Sequence, residues 1–306
     1  MARDSDNLPE NKKIDFGSYV MFLTFFIAPV VGVVIAVYCM WENGVDWFYL
    51  SVFLFMYLIT AFGTTGGYHR LFTHESYYAK PWVKFLIAIA GSSAVQGKIF
   101  TWCTLHKLHH EKSDKSGDPH SPLVPGDSLL TLFKGLWHSQ IGWMFIKHKL
   151  PDNEFTRRLK NDPIVQFVDR YIVLWIFLGG LIPASLGYMH SGKISGAFYG
   201  FLWGGLVRIF FHQHFTSAVN SICHVWGKRK YKTGDRSTDN WFIAIFTLGE
   251  GYHNGHHVAQ KSALHSLDFP LADMTFLILL LMEKLGMVYN VRQFVPRKEK
   301  LETLRV

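Results

Sequence analysis

The stretch D-W-F-Y-L-S-V-F-L-F-M-Y-L-I-T-A-F-G-T-T-G-G-Y-H-R-L-F-T-H, residues 46–74, decides the fold. Its apolar part runs from 46 to about 66, close to the roughly twenty residues that the hydrocarbon core of a bilayer demands. It then passes without a linker into a polar segment holding His69 and His74. A helix that leaves a membrane and at once presents imidazoles puts good neutral metal ligands at the membrane surface.

Three more segments have membrane length, at about 17–40, 166–189 and 194–219. The last ends just before His224. Asp169, Arg170 and Arg208 lie in or near the last two spans, where polar groups should face protein or reach the interface. The segment 82–100 is apolar but interrupted by Lys84, Gly91, Gln96 and Lys98, which suits a helix lying on the membrane or capping a domain. The segment 274–282 is too short to span. The chain therefore reads as an all-α integral membrane protein. Four transmembrane helices carry a helical cap assembled from two separated pieces, 67–164 and 220–306, in a single domain.

Lys and Arg set the orientation. The loop Trp41 to Val45 has none and the loop after the third span has only Lys193, whereas residues 69–164 carry thirteen and the tail from 221 carries twelve. Both termini and the cap are expected on the cytoplasmic side. This rule and anionic headgroups account for the net charge of +8, so nucleic acid is not needed as a partner. A cleaved signal peptide is not expected, because sixteen mostly polar residues with acids precede the first span. Cys39, Cys103 and Cys223 form no CxxC pair and no disulfide framework, and read as buried thiols.

Nine of the sixteen histidines fall into four clusters, all on that one side. They are His69 and His74; His106, His109 and His110; His224; and His253, His256 and His257. The two H-x-x-H-H boxes have the spacing i, i+3, i+4, which sets three rings on one helix face. His69 and His74 sit about 140° apart on an ideal helix and require a bend. Asn220, one turn before His224, shares its face and suits a water-mediated ligand. Nine rings are too many for one tetrahedral ion and imply a two-metal site. Ligand type admits Zn, Cu, Fe or Ni; neutral ligands at an apolar boundary favour iron and oxygen chemistry on a lipid. The other seven histidines read as interfacial or packed residues.

These boxes resemble the membrane fatty acid desaturase superfamily, in its acyl-CoA delta-9 (stearoyl-CoA desaturase-like) branch. The resemblance rests on G-G-Y-H-R-L-F-T-H (66–74), H-K-L-H-H (106–110), D-P-H (118–120), H-S-Q-I-G-W (138–143), N-S-I-C-H (220–224) and G-E-G-Y-H-N-G-H-H (249–257). It implies two Fe ions held by the nine box histidines, with Asn220 acting through water. O2 would be co-substrate and a separate ferredoxin, rubredoxin or cytochrome b5 the electron donor. The reaction implied is insertion of a cis double bond, delta-9 by expectation, into a saturated acyl chain on CoA or acyl carrier protein. Glu250 and Asn220 are the non-histidine residues assigned to the catalytic centre, with Asp118 and Asp239 as further carboxylates beside ligands. A substrate tunnel is expected along Phe53, Tyr57, Trp143 and Trp241. Against the animal pattern, Thr104-Leu105 replace an Arg-Asp pair, and D-P-H-S-P-L-V-P-G-D-S-L-L lacks paired Arg. Basic groups are the natural partners of CoA phosphates, so a membrane lipid joins acyl carrier protein as an alternative carrier. A hydroxylase or acetylenase on the same centre and a membrane zinc hydrolase are the rival readings.

Overall fold

The computed structural model describes residues 22–122, 128–146, 148–294 and Arg305. Residues 17–21 of the first expected span and the chain termini lie outside them. Helix α1 (Leu23–Asn43) is followed after a short turn by α2 (Trp47–Thr73), whose start is capped by the Asp46 carboxylate accepting from Phe48 N at 2.9 Å. The short strand β1 (Tyr78–Ala79) leads to α3 (Pro81–Ser92) and α4 (Ile99–Lys112). Next come α5 (Leu129–Gln140), α6 (Glu154–Asn161) and α7 (Pro163–Arg170). Helices α8 (Ile172–Ser191) and α9 (Ile194–His224) form a long hairpin. The chain closes with α10 (Trp241–Phe246), α11 (His253–Val258), α12 (Met274–Lys284) and strand β2 (Val288–Tyr289).

Among the described residues four helices (α1, α2, α8 and α9) are long and apolar enough to cross a membrane. Helix α2 has 27 residues and α9 has 31; at about 1.5 Å per residue both reach about 40 Å, beyond a hydrocarbon core of about 30 Å. Each is therefore long enough for its final turn, which carries His69 or His224, to reach beyond such a core. The hairpin α8–α9 is pinned by glycine: a Cβ on Gly187 would lie 2.0 Å from the Gly196 carbonyl oxygen. Such close backbone approach is how membrane helices pack without a hydrophobic drive.

The third span differs from the expected 166–189. The chain breaks at Tyr171, and Pro163–Arg170 is a separate helix. Asp169 thereby leaves the span and caps α4, accepting from Ile99 N at 2.7 Å and Phe100 N at 3.0 Å. Arg208, within α9, is fully buried and donates to the carbonyls of Gly204 (2.7 Å) and Ser93 (2.8 Å), tying the end of α3 to the span.

The second span also runs further than 66. From Gly63 to Thr73 it is wound as a π-helix, and every residue of this segment is buried. At its start the backbone packs closely on α3: a Cβ on Gly63 would lie 2.2 Å from Gly91 N. Strand β2 pairs antiparallel with β1, Tyr78 opposite Tyr289 and Ala79 opposite Val288, so the two expected pieces of the cap meet. Cys103 and Cys223 are buried, their thiols directed at the carbonyls of Tyr68 and Gly251.

Candidate metal centre

The π winding resolves the awkward five-residue spacing of the first box. A π-helix bonds residue i to i+5, and His74 N donates to His69 O at 3.1 Å. Residues five apart then stand together, and the two rings lie 4.7 Å apart. The i, i+3, i+4 boxes lie on α4 and α11 as their spacing requires.

The nine box histidines gather into two groups. His69, His74, His106, His110 and His256 form one, and His109, His224, His253 and His257 the other, with ring nitrogens within 4.8 Å of one another in each. Helices α4 and α11 each divide their rings between the groups. In the first group Nε2 of His256 lies 3.1 Å from that of His69 and 2.9 Å from that of His110, which is 3.0 Å from that of His106. In the second, Nε2 of His253 lies 3.0 Å from that of His224. Burial pushes His106, His110, His253 and His256 well below the ordinary imidazole range, and repulsion among the crowded rings adds to it. These four rings are therefore neutral at pH 7, the form that binds metal.

Whether a metal suits these residues is answered by the nitrogens without hydrogen-bond partners. Both ring nitrogens of His74, Nε2 of His109 and Nε2 of His257 are buried and unpartnered. Buried polar atoms are otherwise nearly always satisfied. Inward-facing lone pairs in sets of five and four fit two divalent cations of imidazole preference.

Carboxylates fix the outward nitrogens. His109 Nδ1 bonds Asp118 at 2.9 Å, His224 Nδ1 bonds Asp114 at 2.9 Å, and His257 Nδ1 bonds Asp235 at 2.6 Å. His69 Nδ1 bonds Glu250. A carboxylate on one ring nitrogen sets the tautomer and leaves the other lone pair for a cation. Burial works to raise Asp118 and Asp235, but the hydrogen bonds and charge of His109 and His257 prevail and hold both carboxyls well below the ordinary range. Asp118 and Glu250 thus stand where the sequence suggested. Asp239 does not: it accepts from Asn254 N and Gly255 N at the start of α11 and pairs with Lys230 at 3.3 Å. Asp114 and Asp235 were missed, since each meets its histidine only through the fold. Replacing Asp235 by Asn is expected to weaken metal binding about 10- to 100-fold, the usual range for such partners. Competition against a chelator measures this, and an unchanged affinity would rule out the role.

Arg70 and His265 were also missed. Arg70, fully buried, donates to the Ala263 carbonyl at 2.6 Å, to Asp273 at 3.0 Å and to Glu250 at 3.1 Å. The His265 ring lies 4.4 Å from that of His256, with Nδ1 3.6 Å from Glu250. The H-R within the first box was the available signal for Arg70; His265 stands alone in the sequence.

An apolar cavity opens onto both groups. Tyr57, Ala61, Thr64, Thr65, Trp102, His212, Thr216, Val219, Asn220 and Phe246 line it, together with His69, His106, His253 and Glu250. The Tyr57 hydroxyl donates to the Phe246 carbonyl at 2.6 Å, joining the second span to α10. Phe53 packs on Tyr57 with ring centroids 5.8 Å apart but is not among the lining residues. Trp241 does not line it either: as the first residue of α10 it is 68% exposed. Trp143 stands away from the cavity, its ring 5.4 Å from His120. The sequence reading missed Trp102, which stacks on His106 at 5.0 Å.

Among the described residues, four membrane-length helices, two imidazole groups that could each hold a metal ion and an apolar cavity reaching both groups define the class of fold and site. Residues 45–269 match the family model "Fatty acid desaturase", and the chain belongs to that family. It is a membrane-bound acyl desaturase, an oxidoreductase. It is 32% identical to the hex-5-enoyl-[acyl-carrier protein] acetylenase of Moorena producens (strain JHB), over 93% of this chain and 89% of that one. It is 35% identical to the sn-1 stearoyl-lipid 9-desaturase of Anabaena variabilis, over 88% and 92%. With the acyl-CoA C20 Delta5-desaturase of Anemone leveillei it shares 35% identity over 76% and 69%.

Proposed function

We propose that this chain is an O2-dependent diiron desaturase that introduces a cis delta-9 double bond into a saturated acyl chain. The observation that carries the reading is the apolar cavity ending on two groups of imidazoles, five and four in number. His69, His74, His106, His110 and His256 hold one iron, and His109, His224, His253 and His257 the other. Asn220, which lines the cavity one turn before His224, holds a water. When bound, the ions supply the O2-activating redox chemistry that no side chain has. The protein aligns the chain and excludes bulk water. Trp102, Thr216 and Val219 flank the chain beside the ligands, and Glu250 keeps His69 in one tautomer. Both termini and the histidine groups face the cytoplasm, following the Lys and Arg asymmetry, and all pieces form one domain.

Acyl carrier protein or a membrane lipid is the preferred carrier, over CoA. The positions of the missing Arg-Asp pair are buried here, Thr104 fully and Leu105 at 7% exposure, so they offer no cation to a phosphate. Electrons come from a separate ferredoxin, rubredoxin or cytochrome b5. The likeness to the Moorena acetylenase supports a second reading, oxidation of an existing double bond at the same centre.

Expression in cells of known lipid content, with fatty acids profiled by mass spectrometry and double bonds located, tests both. A new monounsaturated acid supports desaturation, and an acetylenic product supports the second reading. Neither product, with metal bound and reductant supplied, would refute both. Tyr57 is expected to limit chain length. Tyr57→Ala removes the ring and its bond to Phe246, and should shift the preferred substrate to longer chains; an unchanged chain-length profile would show the limit lies elsewhere.

A further inference from the structure

We infer that the loop 225–236, with the turn at Lys112 and Lys115, is the docking surface for an acidic one-electron carrier protein. The inference rests on the desaturase reading, which requires electrons from outside. The loop reads V-W-G-K-R-K-Y-K-T-G-D-R. Lys228, Arg229, Lys232 and Arg236 are exposed, and among the described residues none makes an ion pair. Lys230 alone is engaged, with Asp239 and Asp268. The loop's one acid, Asp235, points inward to His257. Lys112 and Lys115 are exposed beside it, with Glu111 as the neighbouring exposed acid. In their midst Trp226 is 70% exposed. An exposed Trp among bases has the composition of a protein interface.

The basic cluster of Lys149, Arg157, Arg158 and Lys160 is different. There Arg157 pairs with Asp152 and Arg158 with Glu75, so two of its charges are already answered.

The loop is also linked to the rings of the four-histidine group at two places, by one hydrogen bond at the first and by two at the second. Asp235 accepts from His257, and Asp114 accepts both from the Arg236 backbone N–H at 2.7 Å and from His224 at 2.9 Å. A carrier seated here delivers its electron to the four-histidine group. Each encounter oxidises one carrier by one electron. Two such electrons and two protons, with the two hydrogens taken from the acyl chain, reduce one O2 to two waters. A field of one sign over the entry point raises the encounter rate with an oppositely charged partner.

The test is binding of an acidic [2Fe–2S] ferredoxin to the full, metal-loaded protein in uncharged-lipid nanodiscs, across a salt series. Lys228→Glu/Arg229→Glu/Lys232→Glu is expected to slow association on the order of 10- to 100-fold at low salt. The difference should vanish at high salt. Lys149→Glu/Lys160→Glu, on the other cluster, should bind like the parent. In the triple variant, metal content and product formed with dithionite as reductant should be unchanged while ferredoxin-driven product falls. Parental association with parental salt dependence in the triple variant overturns the docking surface. So does loss of binding to anionic vesicles alone, which would make the loop a lipid contact. Failure of dithionite to give product in the parent would count against the desaturase reading, while the binding result would still decide the surface.

Discussion

His109→Ala is expected to bind about one metal ion fewer per chain and to lower product by at least about 100-fold, beyond what losing an outer partner costs. His109 is fully buried, its Nε2 is unpartnered, and its Nδ1 is held by Asp118. Removing the ring opens one of the four positions in the second group. It also leaves the Asp118 carboxylate buried without its imidazole, so some stability is lost as well. Asp118→Asn combined with His109→Ala separates the two effects: the double variant should recover part of the stability and none of the metal. Elemental analysis of purified protein and mass spectrometry of the lipids give the two readouts. Parental metal content with parental product would remove His109 from the centre.

Arg70→Leu should do more damage to the fold than any ligand replacement. Arg70 lies between the two pieces of the cap, with Glu250, Asp273 and the Ala263 carbonyl around it. Glu250 in turn holds His69, and Asp273 caps α12 through Phe276 N at 3.0 Å. Taking out the cation leaves two buried carboxylates without a counter-charge. Breaking such a buried arrangement costs about 3–5 kcal/mol, a large share of an ordinary stability of about 5–15 kcal/mol. The expected result is a large drop in melting temperature in detergent and loss of the monodisperse peak in size exclusion. Arg70→Lys should fall between, because an ammonium cannot span the same set of acceptors in a fixed fork. A melting temperature for Arg70→Leu equal to the parent would show that the network contributes nothing.

Much of this was legible in the sequence because it is local. Span length follows from runs of apolar residues, and the faces of H-K-L-H-H and H-N-G-H-H follow from helical periodicity. What the sequence hid are pairings between distant segments. Asp114 and His224 are 110 residues apart, and nothing local to either marks the other. Arg70 and His265 were passed over for the same reason. Trp241 misled because an aromatic near a histidine box suits a tunnel and a surface equally; only its place as the first exposed residue of α10 decides. The break at Tyr171 was masked by apolar residues on both sides, since Pro163–Arg170 carries an apolar face that hydropathy alone reads as membrane.

The π winding between Gly63 and Thr73 has a consequence for how this segment tolerates change in length. A π turn fits an extra residue into the rise of an α turn, so the segment holds its histidines by residue count as well as by residue type. Deleting one residue between His69 and His74 would let the stretch relax to α-winding with the two histidines four apart, still on one face. Every residue beyond the deletion would then be shifted by one position against the neighbours it packs on. Loops can absorb such edits by closing differently; a buried helix threaded between Gly91 and the second box cannot. Arg70 apart, the first box should therefore admit conservative point substitutions among its non-histidine residues more readily than any insertion or deletion.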